Sequence, residues 1–163
     1  MFRVYARSAP LQGLPAFGIG IAGGTGNGLI SGLRPVYHFF QMLQMRPLEP
    51  VPATRFNFDA ARKRSNELGQ QIASMAKERI PFASLEERLL CYDALPYLGL
   101  SRAAERRLLA DFAAQSLPAD ADPNIAGGLA RADSLAAAGK RLESLMEVTK
   151  VYEEGLKVFE SGS

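Results

Sequence analysis

The chain has 163 residues, 47% of them hydrophobic and 22% charged, with a formal net charge of +2. That length fits one domain with at most an appended segment. Its single cysteine, Cys91, and single histidine, His38, exclude an intrachain disulfide, a thiolate metal cluster and a paired-histidine site within one copy.

The charge is unevenly spread. Residues 1–48 hold Arg3, Arg7, Arg34 and Arg46 and no acid, whereas residues 49–163 are slightly acidic. An arginine-bearing, acid-free start such as MFRVYARSA has the composition of a mitochondrial targeting segment.

Glycines 20, 24, 28 and 32 recur every fourth residue, and Ala16 extends the row. On a helix that spacing draws a bare strip along one face, which lets another helix approach closely inside a bilayer. Residues 8–33 carry no charge, and Leu14 to Leu33 is 20 residues, the length a helix needs for a hydrocarbon core of about 30 Å. Pro15 suits a first turn, and Arg34-Pro35 supplies a charged stop and a breaker. Phe17, Ile21, Leu29 and Leu33 would face lipid. Ala16, Gly20, Gly24, Asn27, Gly28, Ser31 and Gly32 would form the packing face, with Asn27 and Ser31 free to hydrogen-bond across it. The expectation is a glycine-zipper transmembrane helix over 14–33. The competing reading is a flexible glycine-rich loop.

Val36, Phe39, Phe40 and Leu43 follow at helical spacing, so 36–45 reads as an amphipathic helix, at a membrane surface or on a core. Residues 1–45 thus form a membrane-associated region. Pro47, Pro50 and Pro52 make 46–56 an extended, semi-rigid linker. Residues 57–163 read as an extramembrane helical bundle. Asn57 can cap a helix to about Arg79, with Phe58, Ala61, Leu68, Ile72 and Met75 on a seam. Ser84 and Glu87 form a capping box, and Ser101 can cap a helix through Gln115. Asp122-Pro123 opens a long coiled-coil-like helix to about Phe159, with Gly127, Gly128 and Gly139 weakening its first half. Its seam positions are Leu135, Leu142, Thr149 and Leu156 with Ala138, Leu145, Tyr152 and Phe159, pairing with the helix at 57–79 of the same chain or with a helix of another subunit. No segment reads as a run of alternating strands. The fold class expected is all-α.

The chemistry is sparse. Gly18, Gly20 and Gly23 spell G-x-G-x-x-G, but Pro15 interrupts the stretch before them, and the first acid anywhere is Glu49. GGTGNG lacks the Gly-Lys-Ser/Thr ending of a phosphate loop. Asp120 and Asp122 begin like a calcium loop without its remaining ligands. Arg62-Lys63-Arg64 and Arg106-Arg107 read as solvated faces, or as contacts for acidic lipid. Cys91 reads as an inert buried thiol and His38 as a structural histidine. No catalytic, cofactor-binding or metal-binding residue is expected, no small-molecule substrate and no nucleic acid.

Glycine rows of this kind resemble those of ATP-synthase rotor helices and of small cristae-shaping or dimer-interface subunits of mitochondria. The likeness covers only the glycine-rich segment, and the chain lacks a rotor subunit's second span and mid-membrane carboxylate. The function expected is a non-catalytic accessory subunit of a mitochondrial inner-membrane complex, an ATP synthase or respiratory-chain complex, whose partners are other subunits and the lipid bilayer. The alternative is a soluble all-helical adaptor or assembly factor whose glycine-rich N-terminal segment orders on a partner.

Overall fold

The computed structural model describes residues 8–23, 27–118 and 121–161. They divide into two compact units. One runs from the chain's start to Thr54 and resumes over Phe58–Gly99; the other comprises Arg55–Asn57 and Leu100–Ser163.

The first unit opens in extended backbone. β1 (Pro15–Ala16) and β2 (Ile19–Ile21) precede α1 (Leu29–Met42), and the chain returns as β3 (Arg46–Pro47) and β4 (Val51–Ala53). β1 pairs with β3 and β2 with β4, both in parallel. The helix is therefore the crossover that a parallel pair requires. The two pairings are one interrupted ladder whose register slips by a residue: Pro15 faces Arg46, but Ile19 faces Val51. At the slip, Tyr37 of α1 places its hydroxyl between the strands. It accepts from the Gly18 N–H at 3.0 Å and donates to the Leu48 carbonyl at 2.9 Å. The phenol thus takes the place of the ladder bond that the extra residue displaces. Burial pushes its pKa up to about 12, against the opposing pull of the Gly18 N–H.

Glycines 18 and 20 are small because α1 lies directly on the strand. A β-carbon on Gly20 would fall 2.8 Å from Leu33 Cγ, and one on Gly18 would fall 3.0 Å from Tyr37 Cε2. Leu29, Ile30, Leu33 and Tyr37 form the buried side of α1. The opposite face of the strands is covered by α2 (Phe58–Met75), whose Ala61 and Leu68 pack on Val51 and Ala53, with Phe17 and Leu48 alongside.

The transmembrane expectation over 14–33 is overturned. No helix among the described residues is long and apolar enough to cross a membrane. α1 has 14 residues, a length of about 21 Å, and it carries Arg34 and His38. The physical reason lies in the sequence around the glycines. Phe17, Ile19 and Ile21 alternate with glycine at the two-residue period of a strand, and each glycine costs a helix interior about 1 kcal/mol. The all-α expectation is corrected with it: the chain is mostly helical, but its first unit is organised on paired strands. Residues 46–53 are extended, as their prolines predict, yet they form buried strands rather than a spacer.

α3 (Leu85–Asp93) closes this unit. Ser84 caps it by accepting the Glu87 N–H at 3.1 Å, and the Glu87 carboxylate accepts the Ala83 N–H at 2.6 Å. That bond, followed by the Arg46 guanidinium at 2.7 Å, holds Glu87 below the usual carboxylate range. Arg46 also donates to the Ile80 carbonyl at 2.8 Å and lies 4.5 Å over the Phe82 ring. Tyr92 donates to the Met45 carbonyl at 2.8 Å. These contacts fasten α3 and the segment before it to the residues entering β3.

In the second unit, α4 (Arg102–Gln115), α5 (Pro123–Ala137) and α6 (Arg141–Ser161) pack together. Ser101 caps α4 through the Ala104 N–H, and Asp122 caps α5 through the Asn124 N–H with Pro123 in the first turn. The single helix expected from 122 to 159 is broken into a hairpin. Gly139 adopts φ 77, its N–H bonds to the Ala136 carbonyl, and the Lys140 N–H bonds to that of Leu135. These are the two bonds of a Schellman stop, which favours glycine at the left-handed position. Gly128 lies against Val151, and a β-carbon on Gly155 would fall 3.0 Å from that of Ala113. Small residues thus let α6 approach both α5 and α4.

Candidate docking surface

The residues expected as a glycine-zipper face do not share one surface. Ala16 is buried in β1, Gly20 lies in β2 beneath Leu33, and Gly24 falls outside the described residues. Asn27 is exposed in the turn, and Gly28 is the N-cap of α1 at φ 91. Ser31 donates to the Gly28 carbonyl at 3.1 Å, and Gly32 faces open space. A four-residue period has meaning only on a helix, and α1 begins after most of the row.

The expected seam is divided by the break at Gly139. Leu135 is half-buried in α5, while in α6 Leu142 is exposed and Leu145, Thr149, Leu156 and Phe159 are half-buried. Tyr152 is buried beneath the Arg106 guanidinium, 4.1 Å from its ring centroid, and Phe56 meets Tyr152 and Phe159 edge-on. The α6 core stripe is Val148, Val151, Tyr152 and Gly155. That stripe, which shares only Tyr152 with the expected seam, packs on α4 and α5.

The charged clusters are also engaged internally. Arg64 pairs with Glu49 at 2.6 Å and Glu67 at 3.0 Å, and Arg107 pairs with Asp111 and Asp133. In the cleft between α5 and α6, Arg131 pairs with Glu147 at 2.6 Å, beside Lys150, Glu154 and Asp122. Mixed charge there gives no single ligand chemistry. Burial pushes the Cys91 thiol pKa up, which disfavours a reactive thiolate. Among the described residues, no group of three or more histidines, cysteines and acids could hold a metal.

What stands out is the outer edge of β2. The ladder takes the Gly18 carbonyl and the Ala22 N–H toward β4. Strand alternation therefore turns the N–H and C=O groups of Ile19 and Ile21 to the other edge, which has no partner strand among the described residues. Their side chains share a face with Val51 and Ala53, but α2 covers only the β4 half. Ile19 is 49% exposed, Ile21 72% and Phe58 52%. Together with Ala53, Ala61, Arg62, Ser65 and Asn66 they line a groove of about 190 Å³.

No family model, curated protein or solved structure matches the chain. The groove must speak for itself. The one sign of it in the sequence is the alternation in Phe17-Gly18-Ile19-Gly20-Ile21, which has the period of a strand. The G-x-G-x-x-G spelling does sit beside a strand and a helix, but Gly18, just before β2, and Gly20, within it, accommodate Tyr37 and Leu33.

Proposed function

We propose that the chain is a non-catalytic adaptor or assembly factor that binds a partner protein through its glycine-rich N-terminal segment. One observation carries this reading: β2, inside that segment, keeps a backbone edge with no partner strand among the described residues, beside exposed Ile19, Ile21 and Phe58. An uncovered strand edge with β-branched side chains is a template for another chain. A membrane-complex subunit is not retained, since the span it depended on is gone, and a mitochondrial address has no support. The test is affinity purification of the tagged full-length chain after cross-linking in its source cells. A stoichiometric protein partner is expected; recovery of the chain alone contradicts the proposal.

One observation favours a second reading. β2 and α1 follow in the strand-then-helix order of the βαβ units that hold a phosphate. α1 opens on Gly28 with no side-chain cap and no acid in its first turn. Against this stand the packing of Tyr37 and Leu33 on Gly18 and Gly20 and the lack of a second βαβ unit among the described residues. Calorimetric titration with inorganic phosphate, NAD+ and NADP+ separates the readings. Saturation below about 1 mM supports a phosphate site, and flat titrations remove it.

A further inference from the structure

We infer that the free edge of β2 takes up an extended segment of a partner protein, apolar at alternate positions and bearing a carboxylate that meets Arg62. This inference rests on the adaptor reading and specifies its binding mode.

The backbone sets the shape of the occupant. Ile19 and Ile21 offer two N–H donors and two carbonyl acceptors along one edge, a pattern that only another extended chain can match. A helix or a lipid surface would leave these groups unsatisfied. The two edges of the strand pair differ in kind. On β4 the outward position opposite Gly20 is Pro52, which has no N–H to give, and Pro50 lies just before the strand. On the β2 edge, residues 17–23 contain no proline, lysine or other charge. One side is blocked against strand addition, and the other carries none of the devices that prevent it.

The groove sets the side chains. Ile19, Ile21, Ala53, Phe58 and Ala61 make its floor apolar, so residues of the added strand on this face must be apolar too. Among the described residues its only charged lining residue is Arg62. That guanidinium is exposed and pairs with the still more exposed Asp59 at 3.2 Å. An exposed pair of this kind is weak and readily exchanged for an incoming carboxylate. A second copy of the chain fits less well: its own edge is uncharged, and residues 1–48 contain no acid to meet Arg62.

The probe is a fluorescein-labelled peptide, Thr-Val-Thr-Val-Thr-Asp-Thr, which places two valines and the aspartate on one strand face. It is titrated with the full-length chain and followed by anisotropy. Saturable binding is expected. Replacing the peptide aspartate with asparagine, or Arg62→Glu in the protein, should weaken it about threefold to fivefold. A lysine in place of that aspartate should recover the loss in the Arg62→Glu protein. Ile21→Lys, at an exposed position, should abolish binding while leaving the circular dichroism unchanged. No saturation by about 1 mM overturns the inference, as does equal binding of the asparagine peptide. A dimer in sedimentation that Ile21→Lys splits assigns the edge to a second copy and likewise overturns it. A co-purifying partner that Ile21→Lys still retains overturns the edge alone and leaves the adaptor reading standing. Absence of any co-purifying partner overturns the adaptor reading itself.

Discussion

Replacing Tyr37 with phenylalanine removes a single oxygen and isolates what it does between the strands. The ring remains: its edge-on contact with Phe40, at 5.3 Å between centroids, needs no hydroxyl. What is lost is the acceptor for the Gly18 N–H and the donor to the Leu48 carbonyl. Tyr37 is 2% exposed, so water does not easily replace its hydroxyl. A buried polar group left without a partner costs about 1–3 kcal/mol, and a carbonyl near the surface recovers part of that by hydration. The expected destabilisation is about 2–3 kcal/mol, read as a lower urea midpoint with unchanged slope. For a unit of this size it corresponds to a fall in Tm of roughly ten degrees or more. Tyr92→Phe is the control. Its hydroxyl makes one bond, to the Met45 carbonyl, so a loss of about 1 kcal/mol is expected. Equal midpoints for Tyr37→Phe and the wild type would refute the bridging role of the hydroxyl.

Other outcomes follow from the same geometry. Gly20→Ala should destabilise the first unit, because its β-carbon meets Leu33, whereas Gly32→Ala should stabilise it by up to about 1 kcal/mol, since that position is helical and open. A zipper face would respond to both changes with the same sign, and denaturation midpoints distinguish the two accounts. Gln44 ends α1 at φ 59, with the N–H of Met45 bonded back to Phe40. Gln44→Gly should therefore stabilise by roughly 0.5–1 kcal/mol in the same assay, and a loss of stability would contradict the strained cap. Burial raises the pKa of Tyr37 to about 12 and pushes the Tyr92 phenol up too, while unfolded tyrosines titrate near 10. Between those values the native state holds more protons than the unfolded state, so stability complete below pH 10 falls as pH rises toward 12. Tyr37→Phe should flatten that fall by up to about 3 kcal/mol, measured as urea midpoints against pH; parallel curves would contradict it.

The parts of the fold legible in the sequence were those fixed by local chemistry. Ser84, Ser101 and Asp122-Pro123 mark helix starts because a short polar side chain reaches the first free N–H groups, wherever the helix then packs. The glycine row was not legible in this way. Its four-residue spacing coexists with a two-residue alternation of Phe17, Ile19 and Ile21, and residues far along the chain decide between them. The strand forms because residues 46–53 pair with it and Leu33 and Tyr37 need the space over Gly20 and Gly18. In sequence Gly139 reads as a weak point of one helix; in the fold it ends α5. Within one helix a glycine costs about 1 kcal/mol, but at the left-handed position after a helix it is favoured, and the packing of α6 on α5 rewards the turn. The docking edge escaped notice because an unpaired backbone is a property of topology, invisible until the partner of β2 is known.

Amide hydrogen exchange of residues 18–22, resolved by NMR, tests the central claim most directly. With one face of the backbone bonded to Tyr37 and β4 and the other open, the N–H groups of Gly18, Gly20 and Ala22 should exchange slowly and those of Ile19 and Ile21 fast. Uniform protection across all five, as a helix would give, would contradict the strand and with it the docking edge.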